Sequence, residues 1–151
     1  IIGSPTYASN ISGQLKTIID RGHFVMEQSL YKKYAMSVVT YENYGGKDAS
    51  KILNKFLSYS GAVITGSLVI KNSFSHNPLE SRRLQEYISK ETKNFYEGLL
   101  NQKKPTIQLL KHFFILQYGI VPFVKKKGSD YSGVVCAWKK HGIDFASVNN
   151  K

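Results

Sequence analysis

Two short stretches hold the residues whose types and spacing suit chemistry. The first is Ser4-Pro5-Thr6-Tyr7-Ala8, continued by Asn10, Ser12 and Gly13; the second is Tyr41-Glu42-Asn43-Tyr44-Gly45-Gly46. Pro5, Tyr7 and Tyr44 offer flat or apolar surface to a ring system, and the backbone amides of Ala8, Asn43, Gly45 and Gly46 offer donors to its polar edge. Paired glycines permit φ > 0 and close approach of the backbone to a flat ligand. Ser12-Gly13 does not stand in a G-x-S-x-G context and no triad order can be built, so neither stretch points to a nucleophile. The competing reading is two ordinary turns with tyrosines capping the core, Glu42 and Asn43 merely shaping the second.

Both stretches follow β-rich runs. Ile1-Ile2 leads into Gly3-Ser4-Pro5, and Ala35–Tyr41 reads as a buried parallel strand. A helix opens after Asn10, with Ile11, Leu15, Ile18 and Ile19 as its stripe; Gly22 is expected to stop it, leaving His23–Tyr34 as an irregular connection. Lys47–Tyr59 reads as a second helix with Ala49, Ile52, Leu53, Phe56 and Leu57 on one face and Gly61 as its stop. Residues 62–70 form the last strand, bent near Gly66, and Pro78 starts a helix to about Leu100 with Leu84, Tyr87, Ile88, Phe95 and Leu99 inward. Alternating strands and helices mean an α/β fold with a mostly parallel sheet covered on both faces. In such sheets ligands bind where loops leave the carboxyl ends of strands, which puts 4–13 and 41–46 on one crevice.

Beyond the sheet, Asn101–Lys104 is a polar linker. Ile107, Leu109, Leu110, Phe113, Phe114 and Leu116 then suggest a helix apolar over most of its surface, one that has to be covered. Pro122 and Lys125–Ser129 are expected to break it, and Asp130–His141 to form a final short helix.

The run GSPTYASNISGQLKTIIDR (3–21) resembles the strand-loop-helix segment of the NAD(P)H-dependent FMN reductase family. More weakly, Asp130, Tyr131, Trp138 and Gly142 resemble the C-terminal extension of clostridial-type members. The resemblance implies a flavodoxin-like doubly wound parallel sheet, present from its third strand onward, over 1–103, with a C-terminal helical extension over 104–151 packing on the same domain or on a dimer partner. It implies FMN as cofactor, NADPH or NADH as electron donor and a small-molecule acceptor: a flavin, quinone, nitro compound or metal centre. Carried over by position, the FMN-binding residues are Ser4, Pro5, Thr6, Tyr7, Ala8, Asn10, Ser12, Gly13 and Tyr41 to Gly46. It further implies a homodimer and a preceding segment carrying the phosphate loop, so that the chain is the C-terminal part of a longer flavoprotein. An electron carrier of flavodoxin or iron-sulfur flavoprotein type is the alternative, its cluster cysteines lying in the preceding segment.

Composition sets the remaining bounds. The 151 residues suit one domain, and one cysteine excludes a disulfide framework or a cysteine-based metal cluster within the chain. No apolar run of spanning length and no signal peptide is evident, so a cytoplasmic protein without a membrane partner is expected. His23, His76, His112 and His141 are too scattered for a metal site. Cys136 reads as a buried small hydrophobe and Arg21 as a helix-end charge. The formal charge of +11 is weighted late, with nine Lys and two Asp from Lys103 onward. It argues mildly against an acidic electron shuttle and leaves a basic nucleic-acid module as a remote alternative, although no such motif is present and a solvated lysine surface, Lys125–Lys127 included, is the simpler reading.

Overall fold

A computed structural model describes residues 1–73, 77, 80–103 and 105–143. The elements in chain order are β1 (Ile2–Pro5), α1 (Gly13–Met26), β2 (Tyr34–Tyr41), α2 (Gly46–Tyr59), β3 (Val63–Lys71), α3 (Arg82–Leu100), α4 (Thr106–Ile115), α5 (Val121–Lys127) and α6 (Ser132–Lys140). The three strands form one parallel sheet in the order β1-β2-β3. Parallel pairing requires crossovers, and α1 and α2 supply them.

The strands are apolar because both sides are covered. Val39 is fully buried with Ile11, Ala49 and Leu53, against Leu15 and Ile19 of α1, while Ala35 packs with Leu57 of α2. The alternate residues Met36 and Val38 face the other way, with Leu68 and Ile70, against Leu84, Tyr87, Ile88 and Phe95 of α3. The period-two alternation of β2 therefore sorts α1 and α2 to one face and α3 to the other. Near Gly66, where a bend is expected, the pairing slips one residue at Ala35/Met36, opposite Ile64 and Gly66. A seam of hydroxyls runs under α2, with Ser67 Oγ within 3.0 Å of Ser37 Oγ and 2.8 Å of Ser50 Oγ.

Several expectations need correction. Helix α1 does not stop at Gly22 but runs to Met26, since Gly22 sits in regular helix against Met26; the turn comes at Gln28, with φ 60°. His23–Met26 is therefore helix, and exposed Arg21 lies before the last turn, which holds His23. Ile18 is exposed, because Ile11, Leu15 and Ile19 already complete the inward stripe. Leu99 also turns outward: Gly98 takes the inward position at that level, where a Cβ would press on Thr65. Pro78 and Lys104 lie outside the described residues.

The helical arm differs most from expectation. Pro122 does not break the helix. A wider π-turn at Leu116–Ile120 precedes it, opening the helix where the proline ring would otherwise meet the carbonyl four residues back. Gly128, at φ 58°, makes the real break before a short 3-10 turn and α6. Cys136 is exposed, not buried: it lies about 200° round the helix from buried Trp138. The run Thr106–Lys140 is also long and apolar enough to cross a membrane by length and composition, with a mean hydropathy of 1.4 in its most apolar window, contrary to the sequence reading.

The arm has its own core of Leu116, Val121, Val124, Trp138 and Ile143. Polar clasps fix it to the α/β half. Trp138 Nε1 donates to Glu27 O at 2.9 Å, Gln108 Nε2 to Ala62 O at 3.2 Å, and His112 Nε2 lies 3.0 Å from Oε1 of fully buried Gln28.

Candidate functional site

A cavity of about 560 Å³ opens at the carboxyl ends of the strands. It is lined by Pro5, Thr6, Tyr7, Ala8, Thr40, Tyr41, Glu42, Asn43, Tyr44, Ile70, Asn72 and Ile88. The first loop reaches it through a two-residue turn. Tyr7 N donates to Asn10 O and Asn10 N to Tyr7 O, both at 2.9 Å, so Ala8 and Ser9 form the tip of a miniature hairpin. Both adopt left-handed backbone, φ 47° and 63°, which costs each roughly 1–2 kcal/mol. Side chains behind the turn hold it: buried Ser4 Oγ accepts from Ser12 N at 2.9 Å and donates to Pro5 O, while Asn10 Oδ1 accepts from Ile11 N. Ser12 Oγ accepts from Leu15 N and caps α1.

The second loop is held by the absence of side chains. A Cβ on Gly45, whose φ is 82°, would lie 2.5 Å from Ser9 Cα, and one on Gly46 would collide with the Tyr41 ring. These glycines thus let the two loops close on each other, a use different from the ligand approach expected of them. Among the described residues, the amides of Asn43, Tyr44, Gly45 and Gly46 make no hydrogen bond. The Gly46 amide belongs to the open N-terminus of α2.

Eight of the fourteen residues singled out in the sequence line the cavity: Pro5, Thr6, Tyr7, Ala8, Tyr41, Glu42, Asn43 and Tyr44. Ser4, Asn10, Ser12, Gly13, Gly45 and Gly46 stand behind them. The sequence reading missed Thr40, Ile70, Asn72 and Ile88. The first three sit at or beside the ends of β2 and β3, where the convergence of parallel strand ends could have placed them. Ile88 comes from α3, and no local signal marks it.

The chemistry of the lining fits a planar heteroaromatic group with a polar edge. Tyr7 and Tyr44 flank the opening and are largely exposed. Thr6 Oγ1 is buried without a hydrogen-bond partner among the described residues, which leaves a donor-acceptor unused. With the unpaired amides of Ala8, Asn43 and Tyr44, the cavity presents donors along its loops and ring faces beside them.

Among the described residues, two titratable groups are displaced from their ordinary values, and both lie at the clasp of the helical arm. Burial raises Glu27 above 4.5, partly opposed by the charge of His23, and burial lowers His112 below 6.5, partly opposed by a bond to the Ser58 backbone. No group of three His, Cys, Asp or Glu among the described residues is placed to hold a metal ion; His76 lies outside them.

The family model of NADPH-dependent FMN reductases matches residues 1–76, which spans β1 to β3 and both loops. An iron-sulfur flavoprotein of Clostridioides difficile (strain 630) is 33% identical over 144 residues, 95% of this chain and 64% of the relative. The chain therefore spans less than two thirds of that relative's length.

Proposed function

The chain belongs to the NADPH-dependent FMN reductase family, and from that premise we propose that it is an oxidoreductase that holds FMN in the cavity between residues 5–8 and 40–44. The observation that carries this reading is the pairing of unpaired donors, Thr6 Oγ1 and the amides of Asn43 and Tyr44, with the tyrosine faces of Tyr7 and Tyr44. Bound there, FMN would supply the redox chemistry, between NADPH or NADH as donor and a small-molecule acceptor.

The protein's part is binding and electrostatics. Thr6 Oγ1 and the amides of Asn43 and Tyr44 would hold the polar edge of the ring, where donors favour a form that carries negative charge. Tyr7 and Tyr44, both lining the cavity and largely exposed, would shield the ring from solvent. Ser4, Asn10 and Ser12 hold the first wall in register.

The test is the visible absorption spectrum of the protein with FMN, before and after anaerobic NADPH. Bleaching on addition of NADPH supports the reading. A second reading, an electron-transfer flavoprotein partnered by an iron-sulfur centre, is favoured by one observation: the similarity to the clostridial flavoprotein covers 95% of the chain, past residue 76 and into the helical arm. Cys136 is the single cysteine, so cluster thiolates would come from outside these 151 residues. A flavin that stays oxidised with NADPH and NADH but is reduced by dithionite favours this second reading.

A further inference from the structure

The helical arm shows the solvent a surface that water does not favour. Ile107, Leu110, Phe114 and Tyr118 recur at i, i+3, i+7 and i+11 on the outer side, with Ile107 85% and Tyr118 73% exposed. Phe113 and Phe123 flank this stripe, also half-exposed, and Phe114 and Tyr118 stack on each other at 5.8 Å. The opposite side is spoken for: Leu116, Val121 and Val124 are buried, and Gln108 and His112 clasp the α/β half. The arm therefore cannot leave the domain to cross a bilayer without breaking those contacts, although its length and composition would allow it.

Lysines frame the stripe. Lys103 precedes it, Lys111 lies within it, Lys125–Lys127 follow it, and all are exposed. Asp130 is the one acidic residue among the described residues after 103. Aromatic and aliphatic side chains bordered by lysines on a helix fixed in the plane of a surface are the make-up of an interfacial anchor. Pairing with a second copy is disfavoured by charge, because lysines at either end of one stripe would meet lysines of the other in both orientations. An anionic surface is complementary in charge as well as in apolarity.

We propose that the outer face of Ile107–Phe123 docks the protein on anionic phospholipid bilayers, the aromatic side chains entering the headgroup boundary and Lys111 and Lys125–Lys127 contacting lipid phosphates. This places the enzyme at a membrane surface and is independent of what the cavity binds.

The test is co-sedimentation of the whole chain with vesicles of phosphatidylcholine alone or mixed in equal parts with phosphatidylglycerol. The chain is expected to pellet with the mixed vesicles only, and to be released by salt. Replacing Lys125, Lys126 and Lys127 by Gln should weaken binding about 100-fold, at about fivefold per lysine. A Phe113→Ser, Phe114→Ser variant should abolish it while keeping the circular dichroism of the parent, because both side chains are exposed. Absence of binding to either vesicle, or equal binding to both, overturns the proposal. So does a dimer in solution that the Phe113→Ser, Phe114→Ser variant dissolves, which would assign the stripe to a second copy.

Discussion

The two loops that wall the cavity are built on opposite principles. The 5–10 loop satisfies most of its backbone: Thr6 N, Tyr7 N and Asn10 N find carbonyls, the Ile11 and Ser12 amides find side-chain oxygens, two non-glycine residues accept left-handed backbone to close the turn, and the Ala8 and Ser9 amides at its tip stay open among the described residues. The 42–46 loop satisfies little, leaving four successive amides open among the described residues and using glycines to nest against Ser9 and Tyr41. A loop with most of its bonds made can present a fixed face; a loop with most of them unmade can recognise. The first is a wall, and the second is the hydrogen-bonding edge. This division gives the site its chemistry without any reactive side chain.

Breaking the nest should have the largest effect. Gly45→Ala adds a Cβ 2.5 Å from a backbone atom in a conformation that already disfavours side chains. The expected loss is about 3–5 kcal/mol in urea unfolding, together with loss of FMN binding. Ser4→Ala attacks the first loop instead: it strands the part-buried Ser12 amide and should cost about 1–3 kcal/mol, read in the same titration. Ala8→Gly should go the other way, relieving the left-handed strain for a net gain of about 0.5 kcal/mol once the greater freedom of glycine in the unfolded chain is subtracted. Thr6→Val sharpens the comparison most finely. The hydroxyl has no partner to lose, so stability should stay within about 0.5 kcal/mol while FMN affinity falls about tenfold.

The pH dependence should arise elsewhere, at the arm. His112 is lowered below 6.5, so the unfolded chain binds the proton more readily; its contribution is complete above 6.5 and lost as pH falls toward the lowered folded value. Glu27 is raised above 4.5, so its contribution is complete below 4.5 and lost as pH rises through the raised value. Thermal unfolding of His112→Gln should therefore lose less stability than the parent on acidification below 6.5, and Glu27→Gln should be stabilised at neutral pH. Neither variant should alter the cavity.

The sheet half was legible because its signals are local and redundant. Ala35–Tyr41 is β-rich throughout, and Ala49, Leu53 and Leu57 recur at helical spacing. Both loops were legible through one rule, that adjacent parallel strands end together, reinforced by the resemblance of residues 3–21. What failed depended on partners distant in sequence. Gln28 ends α1 because its amide side chain is buried between Tyr59 O and His112, a meeting that no window around Gly22 reveals. Pro122 is tolerated because the turn before it widens, and Leu99 is displaced because Gly98 meets Thr65. Ile88 reaches the cavity from the far face of the sheet, through the packing of α3 alone. The hydroxyl seam of Ser37, Ser50 and Ser67 escaped notice for the same reason.

The most direct measurement is titration of the isotope-labelled protein with FMN, followed by backbone amide chemical shifts. The account predicts the largest shifts at Asn43 to Gly46, smaller ones at Thr6 to Ala8, and loss of both in Gly45→Ala. Shifts centred instead on the second cavity, about 520 Å³ between α1, α2 and Ile120 and lined by His23, Glu27 and Tyr59, would contradict it, as would no shift at saturating FMN.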